Sequence, residues 1–243
     1  MSRRSMIAAA MVVAAGSGWA LLSQESARPT LRVPKVEDFE IDGTGSAPAW
    51  EKSSWVDLVK RDGGSLPYWA RFKVVWSDTG LYVLMAGSDE VLTATMDEDF
   101  LDLWKEDVFE VFLWTDERWP VYFEYEISPL GRELPILIPN FEGQFLGWRP
   151  WHYDGARRVR KKTSVIGNRH ESGATVKGWT AEMFFPYELL RPLRDVPPRD
   201  GTRWRANFYR VDHDHEKRTA WDWARVGPSF HEFERFGTLE FDE

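Results

Sequence analysis

The chain has 243 residues, of which 43% are hydrophobic and 29% charged, and it contains no cysteine. This profile excludes a disordered chain, and the missing cysteines exclude a fold that depends on disulfide bonds. The formal net charge of −8 argues against a general phosphate-binding surface and against nucleic acid as the main partner.

Residues 1–23 are predicted to form an export signal. Arg3 and Arg4 precede an apolar run over residues 6–22, and a basic segment followed by a short apolar run is typical of such signals. The two arginines fit either a general secretory or a twin-arginine signal. An uncleaved anchor is the alternative, but the run is short and contains two glycines, which favours cleavage. We therefore expect an exported protein, periplasmic or extracellular, with no stable membrane span after signal removal.

Beyond a predicted linker over residues 24–36, which contains Pro29 and Pro34, residues 37–243 alternate between short strand-like runs and turn signals. Strands are predicted over residues 71–76, 81–86, 107–114, 121–128, 178–185, 202–211, 219–224 and 236–241. Residues 186–190 fit one short helical turn. Many short strands at this spacing predict a single all-β domain, a two-sheet β-sandwich of the jelly-roll or immunoglobulin-like kind.

Side-chain alternation assigns faces to two of these strands. In residues 121–127 the odd positions are all apolar or aromatic, and the even positions include Glu124 and Glu126. In residues 107–114, Glu110 lies on the opposite face from Phe109. If the two strands pair as a hairpin, the three glutamates share one non-core face with aromatic rings. Such a face is either an ordinary solvated strand surface or one suited to sugars, whose hydroxyls bond carboxylates and whose C–H faces pack on rings.

Several segments resemble the family 9 carbohydrate-binding modules and the wider set of family 9-like domains. These segments cover residues 76–83, 103–113, 122–131, 177–186, 204–210 and 230–241. The second of them, with Trp104, Asp107, Glu110 and Phe112, is similar to the family's W-x-x-D-x-x-E-hydrophobic-F pattern. Together the segments span nearly all of residues 38–241 in the family's order.

The resemblance implies a sandwich with a shallow slot in which two aromatic rings clamp a terminal sugar. Trp104 matches the first clamp ring, Glu110 a hydrogen-bonding carboxylate and Phe230 the second clamp position. Phe230 stands where the better-known sugar binders have tryptophan, and Glu126 where they have arginine. With Glu124 on the same face, these five residues form the predicted carbohydrate-binding site.

The resemblance also implies a role. A family 9-like module would bind an oligo- or polysaccharide without chemistry of its own, in support of carbohydrate catabolism and in association with a glycoside hydrolase. Family members often hold structural calcium, although no local ligand loop stands out in this sequence.

Two further functional hypotheses follow from the residues themselves. Paired carboxylates could hydrolyse glycosides, but no carboxylate shows a sequence reason for a raised pKa, and nucleophile, phosphate-loop and metalloprotease motifs are missing. Residues 211–216, with His213 and His215, are either a metal site or a polar hairpin loop between two strands.

Haem b is the alternative ligand from another class, for a domain in electron transfer. Related sandwich domains hold haem through axial Met and His, and His231 with Met85, Met96 or Met183 could supply such a pair. Residues 148–153 form a ring-rich segment that either extends a sugar slot or caps the sandwich.

Overall fold

The computed structural model describes residues 28–61, 66–167 and 169–243. The predicted export signal lies outside this part of the chain and stays a prediction. Within the described residues no helix is both long and apolar enough to cross a membrane. Strands make up nearly all of the regular structure.

The strands of the described residues are numbered in chain order. They are β1 Thr30–Pro34, β2 Val56–Asp57, β3 Val59–Lys60, β4 Ala70–Trp76, β5 Gly80–Gly87, β6 Val108–Trp114, β7 Val121–Ile127, β8 Glu133–Phe141, β9 Gln144–Phe145, β10 Arg149–Pro150, β11 Arg160–Gly167, β12 Val176–Pro186, β13 Arg203–Asp212, β14 Thr219–Asp222 and β15 Gly237–Asp242. One short helix, α1 Tyr187–Leu190, follows β12, as the sequence predicts. Single 3-10 turns occur at Pro48–Lys52, Leu103–Lys105, Gly155–Arg157, Asp214–Glu216 and Phe233–Arg235.

These strands form two sheets. The larger sheet has the order β1-β15-β13-β6-β7-β8-β10, with β14 joined to β13 and β3, and β9 joined to β8. The smaller sheet has the order β11-β12-β5-β4-β2. Within the described chain, β1 and β15 pair in parallel and the other paired strands are antiparallel. The predicted two-sheet β-sandwich is confirmed.

The main hydrophobic core lies between the sheets. Phe109 of β6 stacks on Trp179 of β12 with ring centroids 3.9 Å apart. Phe72 of β4 stacks on Phe208 of β13 at 4.0 Å. The odd-numbered residues of β7 belong to this core, as alternation predicts. Large rings that interlock between two sheets bury much apolar area, which is the main stabilising contribution to such a fold.

Both outer faces of the sandwich are partly covered as well. On the larger sheet, Phe233 and Phe236 from a loop pack against Phe112 and Tyr122 of the strands. On the smaller sheet, the segment over residues 36–55 packs against the strands in the same way. The outer face of the larger sheet is therefore not a bare strand surface, and this matters for the site.

Besides the two-residue strands β2, β3, β9 and β10, the structure departs from the sequence prediction in three longer strands. Within the predicted linker over residues 24–36, Thr30–Pro34 forms β1 and pairs with β15. Strand β8 is not predicted because Pro135 and Pro139 within it read as turn signals. Strand β11 is not predicted because it is an edge strand of mixed polar residues with weak alternation.

The contact between β12 and β5 requires glycine at position 178. Gly178 has φ +147°, and a Cβ there would lie 2.3 Å from the carbonyl oxygen of Gly87. Gly178→Ala is expected to lower the free energy of unfolding by about 2 kcal/mol or more, because it adds a backbone clash to an unfavourable φ. Chemical denaturation checks this. The control, Gly201→Ala, has φ +74° with open space around the new atom and should cost only about 1 kcal/mol. Equal losses in the two variants would contradict the role of the close approach.

Candidate functional site

A cavity of about 390 Å³ opens on the outer face of the larger sheet. The side chains that line it are those of Arg61, Trp104, Glu110, Phe112, Glu124, Glu126, Ile136, Phe145, Trp148, Arg218, Pro228, Phe230 and His231. All five residues predicted from the sequence are among them. The structure therefore brings the predicted set together in one place.

The floor of the cavity is a row of carboxyl groups on two neighbouring strands. Glu110 of β6 lies directly opposite Glu126 of β7, and Phe112 lies opposite Glu124. The pairing of β6 with β7 confirms the predicted hairpin. The expectation of a solvated strand face is wrong, since Glu110, Glu124 and Glu126 are only 2%, 4% and 1% exposed. Loops cover this face of the sheet and exclude solvent from it. The alternation pattern predicts the faces of strands but not the course of such loops.

Burial changes the protonation of these carboxyl groups. It raises the pKa of Glu110 to about 8, against the opposing effect of Arg218 and Arg61. Burial also raises the pKa of Glu124 and of Glu126 well above the usual range, and the charge of Glu110 adds to both shifts. The carboxyl groups of Glu124 and Glu126 are hydrogen bonded to each other, so the protonation of one affects that of the other. The sequence gives no reason to expect such shifts, because they arise from the covering loops.

Each of the three glutamates keeps one buried oxygen without a hydrogen-bond partner among the described residues. These atoms are Glu110 Oε1, Glu124 Oε2 and Glu126 Oε2. Buried polar atoms in native proteins are nearly always paired, and an unpaired one marks either a strained position or a place that a ligand completes. Three such atoms lie on the floor of one cavity, where they remain available for hydrogen bonds.

Two arginines that the sequence analysis did not single out line the wall. Arg61 is held by Asp222, with Nη1 3.0 Å from Oδ2, and by the carbonyl oxygen of Gly227. Its guanidinium lies over the Phe230 ring, 4.7 Å from the centroid, and that of Arg218 lies 5.6 Å from it. No motif marks these residues, because they reach the cavity from segments far apart in the sequence.

The two predicted clamp rings differ in their surroundings. Phe230 stacks on Tyr209 with centroids 4.4 Å apart and planes at 8°, and the Tyr209 hydroxyl donates to the Phe230 carbonyl oxygen. Trp104 is half-buried at the turn Leu103–Lys105, and its backbone amide donates a hydrogen bond to the Glu126 carboxylate. Phe230 is therefore fixed by its neighbours, while Trp104 keeps a partly free ring.

His231 and Phe145 form the remaining wall. The His231 ring stacks on Phe145 with centroids 4.1 Å apart, and its Nδ1 lies 2.7 Å from the Tyr122 hydroxyl. Burial lowers the pKa of His231 to about 4, so the ring is neutral at neutral pH. Phe145 comes from the β8–β9 hairpin, which the sequence analysis did not predict. Trp148, from the predicted ring-rich segment, also lines the cavity.

The geometry does not favour the haem pair. Met85 and Met183 lie fully buried in the core between the sheets, whereas His231 lines the cavity on the other side of the larger sheet. Met96 is the one candidate methionine that packs on the outer face. The axial pair proposed from Met85 or Met183 is therefore not assembled in this fold.

The predicted metal segment, residues 211–216, covers the end of β13 and the first part of the hairpin loop that leads to β14. Its acidic residues Asp212 and Asp214, rather than its histidines, meet Asp89 with carboxylate oxygens within 4.8 Å. However, Arg210 Nη2 lies 3.2 Å from Asp89 Oδ2 and also bonds Asp212. Asp214 accepts hydrogen bonds from the Tyr68 hydroxyl and from backbone amides. Because a guanidinium already occupies this cluster, the residues do not fit the calcium ion that the family resemblance implies.

Comparisons with known proteins agree with this architecture. The family described as carbohydrate family 9 binding domain-like matches residues 41–129, which include Trp104 and the three glutamates. No curated protein matches the chain significantly. A provisionally named carbohydrate-binding protein from Bacteroides uniformis shares the fold with a TM-score of 0.74 at 18% identity, over 89% of this chain and 100% of that chain.

A family 9 carbohydrate-binding module from Caldicellulosiruptor kristjanssonii, solved with cellotriose, has a TM-score of 0.64 at 17% identity, over 88% of this chain and 93% of that chain. Its complex with glucose has a TM-score of 0.63 at 16% identity, over 88% of this chain and 95% of that chain. At this identity the likeness shows the shared fold. The family match and the common fold together confirm that this chain resembles the family 9 carbohydrate-binding modules and family 9-like domains.

Proposed function

We propose that this protein binds carbohydrate in the cavity on the outer face of the larger sheet. The observation that carries the proposal is the meeting of aromatic rings with three buried, partly unpaired carboxyl groups in one cavity of about 390 Å³. Rings pack against the C–H faces of a sugar, and carboxyl groups bond its hydroxyls. The volume lies within the range of roughly 300–1,000 Å³ usual for small-ligand pockets, which suits a chain end or a short oligosaccharide.

The relatives support the same ligand class. The Caldicellulosiruptor module was solved with cellotriose and with glucose, and it has the fold of this chain. The family match covers four of the five predicted contact residues. By this proposal, Trp104 supplies the stacking platform, and Phe230 shapes the opposite wall.

Binding without hydrolysis is part of the proposal. Glycoside hydrolysis ordinarily uses two carboxyl groups that flank the scissile bond, one as acid and one as base or nucleophile. Here Glu110, Glu124 and Glu126 all lie on one floor, on adjacent strands. The raised pKa of Glu110 suits a hydrogen-bonding carboxyl group as well as a general acid. However, among the described residues that line the cavity, no carboxyl group lies on the wall opposite this floor.

The cellular role extends the same proposal. Residues 1–23 would direct export, to the periplasm or the cell exterior. There the domain would hold an oligo- or polysaccharide in support of carbohydrate catabolism, alongside a glycoside hydrolase.

The test of the proposal is glycan binding by the wild type and by Trp104→Ala. Loss of the half-buried ring is expected to weaken binding by about tenfold or more, which corresponds to about 1.4 kcal/mol. Glycan-array screening followed by calorimetry measures this. Trp69→Ala is the matched control, because Trp69 is 43% exposed and does not line the cavity; it should bind as the wild type does. Equal binding by wild type and Trp104→Ala, or binding by neither, would remove the assignment.

A further inference from the structure

The charge of the cavity distinguishes it from a site for a neutral ligand. Three carboxyl groups form its floor, and its lining offers two guanidinium groups in return. One of these, that of Arg61, already pairs with the buried carboxylate of Asp222. The neutral His231 contributes no positive charge. When these carboxyl groups ionise, the floor therefore carries more negative charge than the wall compensates.

We propose that the cavity prefers a sugar bearing a protonated amine, such as a glucosamine-type chain end, over its neutral counterparts. This inference rests on the proposed function and specifies its ligand. An ammonium group has three N–H donors and a positive charge, whereas a neutral hydroxyl offers one donor and no charge. The unpaired oxygens of Glu110, Glu124 and Glu126 can accept its N–H donors, and the carboxylates that form when these groups ionise are opposite to it in sign.

The placement of the carboxyl groups supports this choice. Glu110 and Glu126 are opposite each other on paired strands, so an ammonium near the floor can meet both. Glu124 lies two residues from Glu126 on the same face and is bonded to it. Charge-assisted hydrogen bonds in a site shielded from water are stronger than neutral ones. The advantage of the amine over a hydroxyl should therefore be large here.

Proton release gives the inference a second, independent signature. Burial favours the protonated forms of these carboxyl groups in the free protein, and it raises the pKa of Glu110 to about 8. A bound cation favours their ionised forms, so its binding expels protons. The other groups facing them keep their charge: Tyr122 and Tyr209 stay neutral because burial raises each pKa, His231 stays neutral, and the arginines stay positive. A neutral sugar leaves the proton count unchanged.

The experiment is calorimetry at about pH 6, where an amine of ordinary pKa is protonated, in two buffers that differ in ionisation enthalpy. The ligands are the glucosamine disaccharide, its N-acetylated form and cellobiose. We expect the glucosamine disaccharide to bind about tenfold or more tightly than the other two, and to bind alone with proton release. Glu110→Gln, with its melting temperature checked against the wild type, should lose most of this preference. Glu51→Gln, an exposed acid outside the cavity lining, is the matched control and should behave as the wild type.

The outcomes separate this inference from the proposed function. Equal or tighter binding of cellobiose or the N-acetylated disaccharide overturns the amine preference and leaves carbohydrate binding intact. Tighter binding of an acidic disaccharide, tested in parallel, would show that the arginines dominate and would also overturn it. If Glu110→Gln keeps the full preference for the amine, the carboxyl groups of the floor are not its cause. Binding of none of these sugars overturns the amine preference, and binding of no glycan on the array overturns both proposals.

Discussion

Replacing Arg210 by methionine is expected to lower the free energy of unfolding by about 3–5 kcal/mol at neutral pH, the range for breaking a buried ion pair from one side. The Arg210 side chain is fully buried, and so are those of its partners Asp89 and Asp212. Methionine fills much of the volume but leaves the aspartates without a cation. Asp107 adds to the acidic charge nearby.

The pH dependence of this loss identifies its cause. Burial, followed by the charges of neighbouring aspartates, raises the pKa of Asp89 to about 9 and that of Asp107 to about 8. Without Arg210 these groups rely still more on protonation, so the loss should grow as the pH is raised through about 8 and 9. Urea denaturation at several pH values measures it.

Arg191→Met is the matched control, because Arg191 pairs with Glu188 at 2.7 Å with both side chains well exposed. An exposed pair of this kind contributes about 0–1 kcal/mol, so this variant should unfold almost as the wild type does. A loss in Arg210→Met no greater than in Arg191→Met would show that the guanidinium does not compensate the buried aspartates.

The second large effect is a fall in stability of the wild type between about pH 5 and pH 8. The pKa of Glu110 is about 8 in the folded protein, against 4.5 for the unperturbed group. Over this interval the folded state retains protons that the unfolded state has released. Stability is therefore fully present below the unfolded pKa and is lost as the pH rises through the folded one. A tenfold difference in acid dissociation constant between the two states corresponds to about 1.4 kcal/mol, and the pKa values of Glu124 and Glu126 are raised in the same direction.

The lowered pKa of His231 opposes the start of this fall, because it adds stability as the pH rises from about 4 to 6.5. Carboxyl groups with lowered pKa values act in a different interval. Hydrogen bonds from Ser46 and Thr44 hold the pKa of Asp42 well below its usual range, so its contribution is present above about pH 4 and is lost on acidification. It does not oppose the fall between pH 5 and pH 8.

Glu110→Gln tests the origin of this fall. The uncharged amide cannot ionise, so the variant should lose less stability than the wild type as the pH rises from 5 to 8. Glu51→Gln should follow the wild-type curve. Denaturation midpoints across the pH range provide the comparison, and parallel curves for wild type and Glu110→Gln would contradict the assignment.

The sandwich was predictable because its main strands alternate cleanly. The odd-numbered residues of β7 face the core, and so do Phe109, Val111 and Leu113 of β6, as a two-residue period requires. Strand β1 was missed because its pairing with β15 joins distant parts of the chain. No local pattern encodes such a contact. Strand β8 was missed because of its prolines. They are a local turn signal, but pairing within the sheet outweighs that signal here.

The grouping of the floor residues was predictable from the sequence, but their physical state was not. Alternation placed Glu110, Glu124 and Glu126 on one face, and the family resemblance added Trp104 and Phe230. Their burial and raised pKa values depend on loops whose course the sequence does not reveal. The wall residues that come from other segments, such as Arg61 and Arg218, could not be predicted for the same reason.

The cavity divides into two parts with different freedom to change. Its floor lies on β6 and β7, and each of these strands is hydrogen bonded to a neighbour on both sides. Much of its rim comes from loops outside this ladder, including those that carry Trp104 and Arg218. Substitutions in the rim disturb few ladder contacts, so they cost little folding stability. Ligand preference can therefore diverge through the rim during evolution while the acidic floor keeps its geometry.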